Sequence, residues 1–463
     1  MSRSHPVPRP GSRCRLPRRL LMIAALLVLE LVGLTGCGGA GGGRSPDADG
    51  DTDDPGRSSG ALPLARPAPA ELPAALLLAL SPFEIGPDGK ATATPDAARL
   101  EILRRAGGRW QVETLTDPES NVFHKAMAYE PVAPGEAPGI LTLAGSGAAI
   151  KLWRRAGRGF EATTLWKADF GGRFSRMRDG ELGDLDGDGD AELAVATHDQ
   201  GIVAMVELDG GDGPARVVEL DRQADTFVHE IELGDLDGDG TTEIYATPSE
   251  PNRMDGTPQS GTVVRYVPAR GIGREVVIDL GERHAKEILV DDVDGDGTDE
   301  LYVSVEGELG GSAGNLHLVQ QVEIRRVDAT DAPPATIARL PDHLCRFLTA
   351  GDLDGDGRRE MVAATFQSGL WLLRPGDDPR RPWQITSIDR DSGGFEHAAL
   401  LADLDGDGTD ELYVASDHDG EVRRYVWQDG TIARQTIHRR EVPGAVFTWN
   451  LMPVPVTILD AVD

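Results

Sequence analysis

Five segments read Asp-x-Asp-Gly-Asp-Gly-x-x-Glu: Asp184–Glu192, Asp235–Glu243, Asp292–Glu300, Asp352–Glu360 and Asp403–Glu411. Three carboxylates within five residues repel one another, so such a stretch resists folding unless something neutralises it. A calcium ion would do so, because it takes about six to eight oxygen ligands and favours carboxylates. Residues 1, 3 and 5 of a tight loop can point inward together. Glycine at 6 permits the sharp turn, and residue 7 offers a backbone carbonyl. In an EF-hand the closing acid stands at position 12 between helices. Here it stands at 9, between runs of a different kind.

Those runs are strand-like. Each Glu is followed by an apolar stretch such as "LAVAT" at 193 or "LYVSV" at 301. Further β-branched runs follow, such as "GTVVRYV" at 261 and "REVVIDL" at 274, and "HEIEL" precedes its loop. The loops start 51, 57, 60 and 51 residues apart, a period that signals a repeat array. Four short strands per repeat make the blade of a propeller. Residues 124–166 form one more repeat, with Glu130 where the first Asp should stand. "AALLLALS" (74–81), "ARLEILRR" (98–105) and "WQVETL" (110–115) supply strands two to four of another repeat, and "VFTWNLMPV" (446–454) supplies its missing first strand. The expected fold is all-β: a seven-bladed β-propeller of four-stranded blades, closed by pairing the C-terminal strand with the N-terminal strands. Closure removes exposed sheet edges.

With these loops the chain resembles the FG-GAP/VCBS repeat β-propellers, whose members include integrin α-subunit heads. The resemblance covers roughly residues 74–456 and implies about five Ca²⁺ sites, each in the hairpin between a blade's first and second strands. The implied ligands are Asp184, Asp186, Asp188 and Glu192; Asp235, Asp237, Asp239 and Glu243; Asp292, Asp294, Asp296 and Glu300; Asp352, Asp354, Asp356 and Glu360; and Asp403, Asp405, Asp407 and Glu411. Backbone carbonyls of Asp190, Thr241, Thr298, Arg358 and Thr409 would join them at position 7. The family usually has Asp at position 9, where this chain has Glu each time.

The N-terminus reads differently. Arg13, Arg15, Arg18 and Arg19 precede the apolar run Leu20–Leu29, and Leu34-Thr35-Gly36-Cys37 follows. Small residues before a cleavage point mark a secretory signal. With Cys at the cleavage point, the stretch resembles a bacterial lipoprotein lipobox, which implies cleavage before Cys37 and lipidation of that residue. The expected division is a signal peptide at 1–36, a flexible Gly/Pro/Ser/Asp-rich tether at 37–72, a propeller at 73–456 and a C-terminal tail at 457–463. The expected place is the bacterial cell envelope, lipid-anchored at the outer membrane or cell surface. Cys345 then stands alone and reads as a small buried apolar side chain.

The formal charge is −31, and removing residues 1–36 takes away six Arg and one Glu, leaving −36. Such a chain repels nucleic acid. A further regularity appears when the repeats are aligned on their first Asp. Six residues upstream lie Arg178, His229, Lys286, Arg346 and His397, with His124 in the degenerate repeat and Trp449 in the shared one. First strands line the channel, so these positions are expected to ring one mouth of it, opposite the acidic loops. Open cations there would bind an anionic glycan or an acidic protein partner. Neither an H-E-x-x-H nor a phosphate loop occurs. The leading expectation is a monomeric, calcium-binding, tethered propeller that is not an enzyme and binds a ligand or partner. The alternatives are a lyase-like polysaccharide enzyme using the channel His and Arg residues, and a purely structural envelope component.

Overall fold

The computed structural model describes residues 62–460, apart from 132–136, 146, 172–174, 199, 209–214, 249, 251–252, 254, 313–314 and 331. The expected signal peptide, most of the tether and Cys37 therefore lie outside the described residues. Seven four-stranded antiparallel sheets stand as blades around a common axis. Their inner strands are Phe123–Tyr129, Met177–Gly183, Val228–Gly234, Ala285–Asp291, Cys345–Gly351, Ala399–Ala402 and Val446–Pro455. Each of these contacts the next around the ring and lines the channel.

The first blade is shared between the chain ends. Ala74–Ile85 pairs with Ala98–Ala106 on one side and with Val446–Pro455 on the other, and Arg109–Asp117 forms the outer edge. The closing register runs from Ala74 opposite Pro455 to Pro82 opposite Val446. The run "LLLAL" reads as continuously apolar because this strand is buried on both faces, with Leu76, Leu78 and Leu80 facing one blade and Leu77 and Ala79 the other. Between blades the core is made by side chains of facing sheets.

Three features go beyond the sequence expectation. Ala91–Pro95 adds a short strand to the end of Ala74–Ile85. The blade that begins at Ala285–Asp291 takes its third strand from Val322–Val327, because Glu308–Ser312 and Asn315–Gln320 form a separate ribbon between. Both chain-end segments are shorter than expected, because parts of each are packed. Residues 62–72, placed in the tether, form a strap. Leu64 bridges Arg434, Arg105 donates to the carbonyls of Ala68 and Pro69, and Ala65, Ala68 and Leu72 are buried. Residues 457–460, placed in the tail, include most of the helical turn Val456–Leu459, which buries Ile458 and Leu459. No helix among the described residues is long and apolar enough to cross a membrane.

Closure by strand pairing carries a measurable consequence. Leu451 on the closing strand lies opposite Leu78 and is buried. Leu451→Ala is expected to destabilise the fold by about 2–5 kcal/mol and to lower the thermal midpoint. A midpoint shift no larger than that of the exposed Val112→Ala would count against the seam as the closing element.

Candidate metal loops and channel mouth

Each acidic loop connects the inner strand of a blade to its second strand. The residue at position 2 anchors it: Leu185, Leu236, Val293, Leu353 and Leu404 are all at most 2% exposed. The first Asp organises the turn. Its carboxylate accepts backbone N–H groups from within the loop, as Asp292 does from Gly295 at 2.8 Å and Gly297 at 2.9 Å. Asp184, Asp352 and Asp403 accept from the equivalent glycines, and Asp235 accepts from Asp239 and Gly240. Both glycines of every loop have positive φ, 75° and 92° for Gly295 and Gly297, which explains why they are glycine. The Asp at position 5 accepts the N–H of position 7, as Asp296 does from Thr298 at 3.0 Å.

The result is a compact donor set in all five loops. One oxygen each from Asp292, Asp294, Asp296 and Glu300 lies within 4.8 Å of the others. The same holds for Asp184, Asp186 and Glu192; for Asp235, Asp237 and Asp239; for Asp352, Asp354 and Asp356; and for Asp403, Asp405 and Asp407. All-oxygen, carboxylate-rich sets fit a hard divalent cation such as Ca²⁺. The structure narrows the expected ligands at position 9. Glu243, Glu360 and Glu411 lie outside their sets and bond to other side chains, whereas Glu300 keeps its place although Tyr302 and Arg326 bond it. Glu243 and Glu411 accept hydrogen bonds from Tyr245 and Tyr413, and Arg265, Arg374 and Arg424 bond to Glu243, Glu360 and Glu411. Burial raises the pKa of all five of these glutamates, to about 7 for Glu300 and Glu360.

Sequence reasoning missed these Tyr and Arg partners. The tyrosines were visible two residues after Glu in three repeats. The arginines were hidden because the second-to-third-strand connections differ in length. Neighbouring loops are also tied together. Asp299 accepts the N–H of Asp235, Asp410 that of Asp352, each at 2.8 Å, and Arg359 bonds Asp291.

At the opposite end of the inner strands the basic column does form a ring of positions, but it is not an open anion site. His124, Arg178, His229, Lys286, Arg346 and His397 are all at most 8% exposed. His124 donates from Nδ1 to the Met177 carbonyl at 2.5 Å and packs edge-on to Trp449 at 4.7 Å. Arg178 lies over Trp449 at 5.1 Å and donates to His229 Nδ1 at 3.4 Å. Lys286 pairs with Glu250 at 2.9 Å, and His229 faces the same carboxylate at 3.5 Å. Arg346 pairs with Glu396 at 2.6 Å. His397 donates from Nδ1 to the Thr365 carbonyl at 2.7 Å and accepts from Ser392 at 2.8 Å.

The acids next to the column on the same strands make contacts farther down the channel. Asp179 pairs with Lys125 and accepts the Ile231 N–H; Glu287 accepts that of Leu348. Burial first, and then nearby acids, hold Glu230 and Glu232 well above the ordinary carboxyl range. Lys125 stays charged against its burial because Asp179 and Glu181 surround it. What the mouth leaves partly exposed is aromatic. An arc of ring contacts runs from His343 through Phe366, Phe395 and Phe447 to Trp449, with neighbouring centroids 5.5–6.5 Å apart.

Burial lowers the pKa of His397 to about 4, below the roughly 6.5 of an unfolded histidine. Between those values the unfolded chain binds a proton that the folded chain refuses. Stability therefore falls as pH drops from about 6.5 to about 4, by about 1.4 kcal/mol per unit for this one group. Arg423, Asp389 and Asp419 are its charged neighbours. His397→Asn removes the proton and suits the backbone φ of 54°. Stability differences between wild type and variant, measured by denaturant at pH 7 and pH 4.5, should shrink at the lower pH; parallel curves would refute the assignment.

The FG-GAP-like repeat family matches residues 184–246 and 352–414. No curated protein matches the chain. Among solved structures, an Agrocybe aegerita lectin that recognises non-reducing terminal N-acetylglucosamine is 14% identical, covers 85% of this chain and 96% of its own, and has a TM-score of 0.46. Provisional 6-phosphogluconolactonases from Bacteroides uniformis and Bacteroides fragilis are each 13% identical. They cover 83% and 82% of this chain and 100% and 98% of their own, with TM-scores of 0.49 and 0.45. Such likenesses say nothing of ligand or activity here. Fold and loops together identify the chain as a seven-bladed β-propeller carrying FG-GAP-like repeats.

Proposed function

We propose that this protein is a calcium-stabilised binding propeller, held at a bacterial envelope by a lipid on Cys37. The observation that carries the calcium part is the recurrence of one carboxylate donor set at five equivalent hairpins. Asp side chains at positions 1 and 3, joined by the Asp at 5 in four loops and the Glu at 9 in two, would hold the ion with the carbonyl at 7, and the ion would supply charge neutralisation and cross-link each hairpin. The tethered part rests on residues 13–37, which carry the basic, apolar and Cys-terminated order of a lipoprotein signal.

The binding part rests on the mouth. Lys286 and Arg346 are committed to Glu250 and Glu396, and Arg178 is buried under Trp449, so an anionic ligand gains little there. The partly exposed rings of Phe395, Phe447 and Trp449 offer flat apolar faces, and grouped exposed aromatics mark binding surfaces. A glycan stacking its C–H face on these rings suits them better than a phosphate would.

A ligand that binds only the native state raises stability, by about 2.7 kcal/mol per site at a hundredfold excess over Kd. Thermal melts of the purified chain should therefore show a higher midpoint in Ca²⁺ than in chelator, with Mg²⁺ recovering less of the difference. An unchanged midpoint would remove the calcium reading. On a glycan array, Phe395→Ala with Trp449→Ala should lose at least tenfold in signal, whereas Arg178→Ala should lose less. The opposite order would return the mouth to an electrostatic role.

A further inference from the structure

The five loops are alike in sequence but not in what lies beneath them. Under four, a guanidinium from the blade's third strand reaches into the acids. Arg326 bonds Asp294 at 2.7 Å and Glu300 at 3.0 Å. Arg374 bonds Asp354 at 2.8 Å and Glu360 at 3.2 Å. Arg265 bonds Glu243 and stands 3.6 Å from Asp237, and Arg424 bonds Glu411. Strand register explains three of them: Tyr245 pairs with Arg265, Tyr302 with Arg326 and Tyr413 with Arg424. Arg374 enters from the far end of its strand, opposite Gln384.

The Asp184–Glu192 loop is the exception. Its register pair at the same place is Ala194 with Met205. Among the described residues no Lys or Arg pairs with Asp184, Asp186, Asp188 or Glu192. Glu192 is held by backbone N–H groups, that of Leu185 at 2.9 Å and that of Asp186, and its oxygen remains within the donor set of Asp184 and Asp186.

We propose that Asp184–Glu192 is the principal divalent-cation site of the protein. On the same grounds, Arg265, Arg326, Arg374 and Arg424 are resident counter-cations that weaken Ca²⁺ binding at the other four loops. The inference rests on the calcium reading above. A guanidinium next to the position-3 and position-9 acids already neutralises part of their charge and occupies their lone pairs. A divalent ion arriving there must break those bonds and sit close to a like charge. In the first loop no Lys or Arg among the described residues competes, and without an ion its four carboxylates have no such counter-charge. Met205, at the register place of Arg265, Arg326 and Arg424, and Glu207, at that of Arg374, together leave this loop without a guanidinium from the third strand.

Calcium titration of the full chain by calorimetry, after chelator treatment, tests this. The expected result is one tight class holding a single ion, at least tenfold tighter than the rest. Asp186→Asn, at an exposed position that leaves the core intact, should remove that class, and Asp354→Asn should leave it. Ala194→Tyr with Met205→Arg should weaken it by tenfold or more, while Arg326→Met should create a second tight site. Five indistinguishable sites, or a tight class unmoved by both Asp186→Asn and the double variant, would overturn the proposal while leaving calcium binding intact. No binding by the wild-type chain would remove both.

Discussion

The ring depends on one antiparallel seam, the pairing of Ala74–Ile85 with Val446–Pro455. The other six blades each bury their strands against two neighbours, and that arrangement holds only while the circle is complete. The seam joins residues almost the whole chain apart, so its loop-closure entropy is spent for every blade at once. The sequence meets this with its most apolar strand, in which Leu76 to Leu80 pack against both flanking blades. The strap of residues 62–72 and the turn Val456–Leu459 then cover the outside of the joint. Arg105 and Arg155 pin them by donating to backbone carbonyls.

Closing seven inner strands around an axis forces polar side chains together. The blades answer differently at the two ends. At the mouth, cations and imidazoles are buried beneath aromatic rings and matched to carboxylates from other segments. Farther down, Asp179, Glu181, Glu230, Glu232 and Glu287 share a narrow channel with Lys125. Buried charge this dense is retained only where each group has a partner or a proton. The raised carboxyls and depressed histidines are the signs of that accommodation.

The acidic loops close the other end, and the ring turns them into a linked series. Asp299 and Asp410 each cap the first residue of the loop before, and Arg359 clasps Asp291 in the same direction. The last four hairpins are therefore each held by their own backbone bonds, by a buried Leu or Val, and by a neighbour, while Asp184–Glu192 has the first two. An ion adds to a turn already shaped by its first Asp and its glycines.

Much of this was legible in the residues alone. Blade number, strand order, the split first blade and the loop glycines follow from local patterns whose period is imposed by the backbone. The period of the repeat fixed the basic column too, but not its meaning. Glu250 lies in an insertion between strands and Glu396 ahead of a neighbouring blade, so only three-dimensional contact could reveal that Lys286, His229 and Arg346 are neutralised. The same holds for Arg265, Arg326, Arg374 and Arg424, whose spacing from the acids varies with loop length. Sequence by itself determined where strands and turns must fall, because hydrogen bonding and side-chain alternation act between near neighbours. Only the tertiary structure decided which charges meet, because electrostatic pairing acts across space and is indifferent to chain separation.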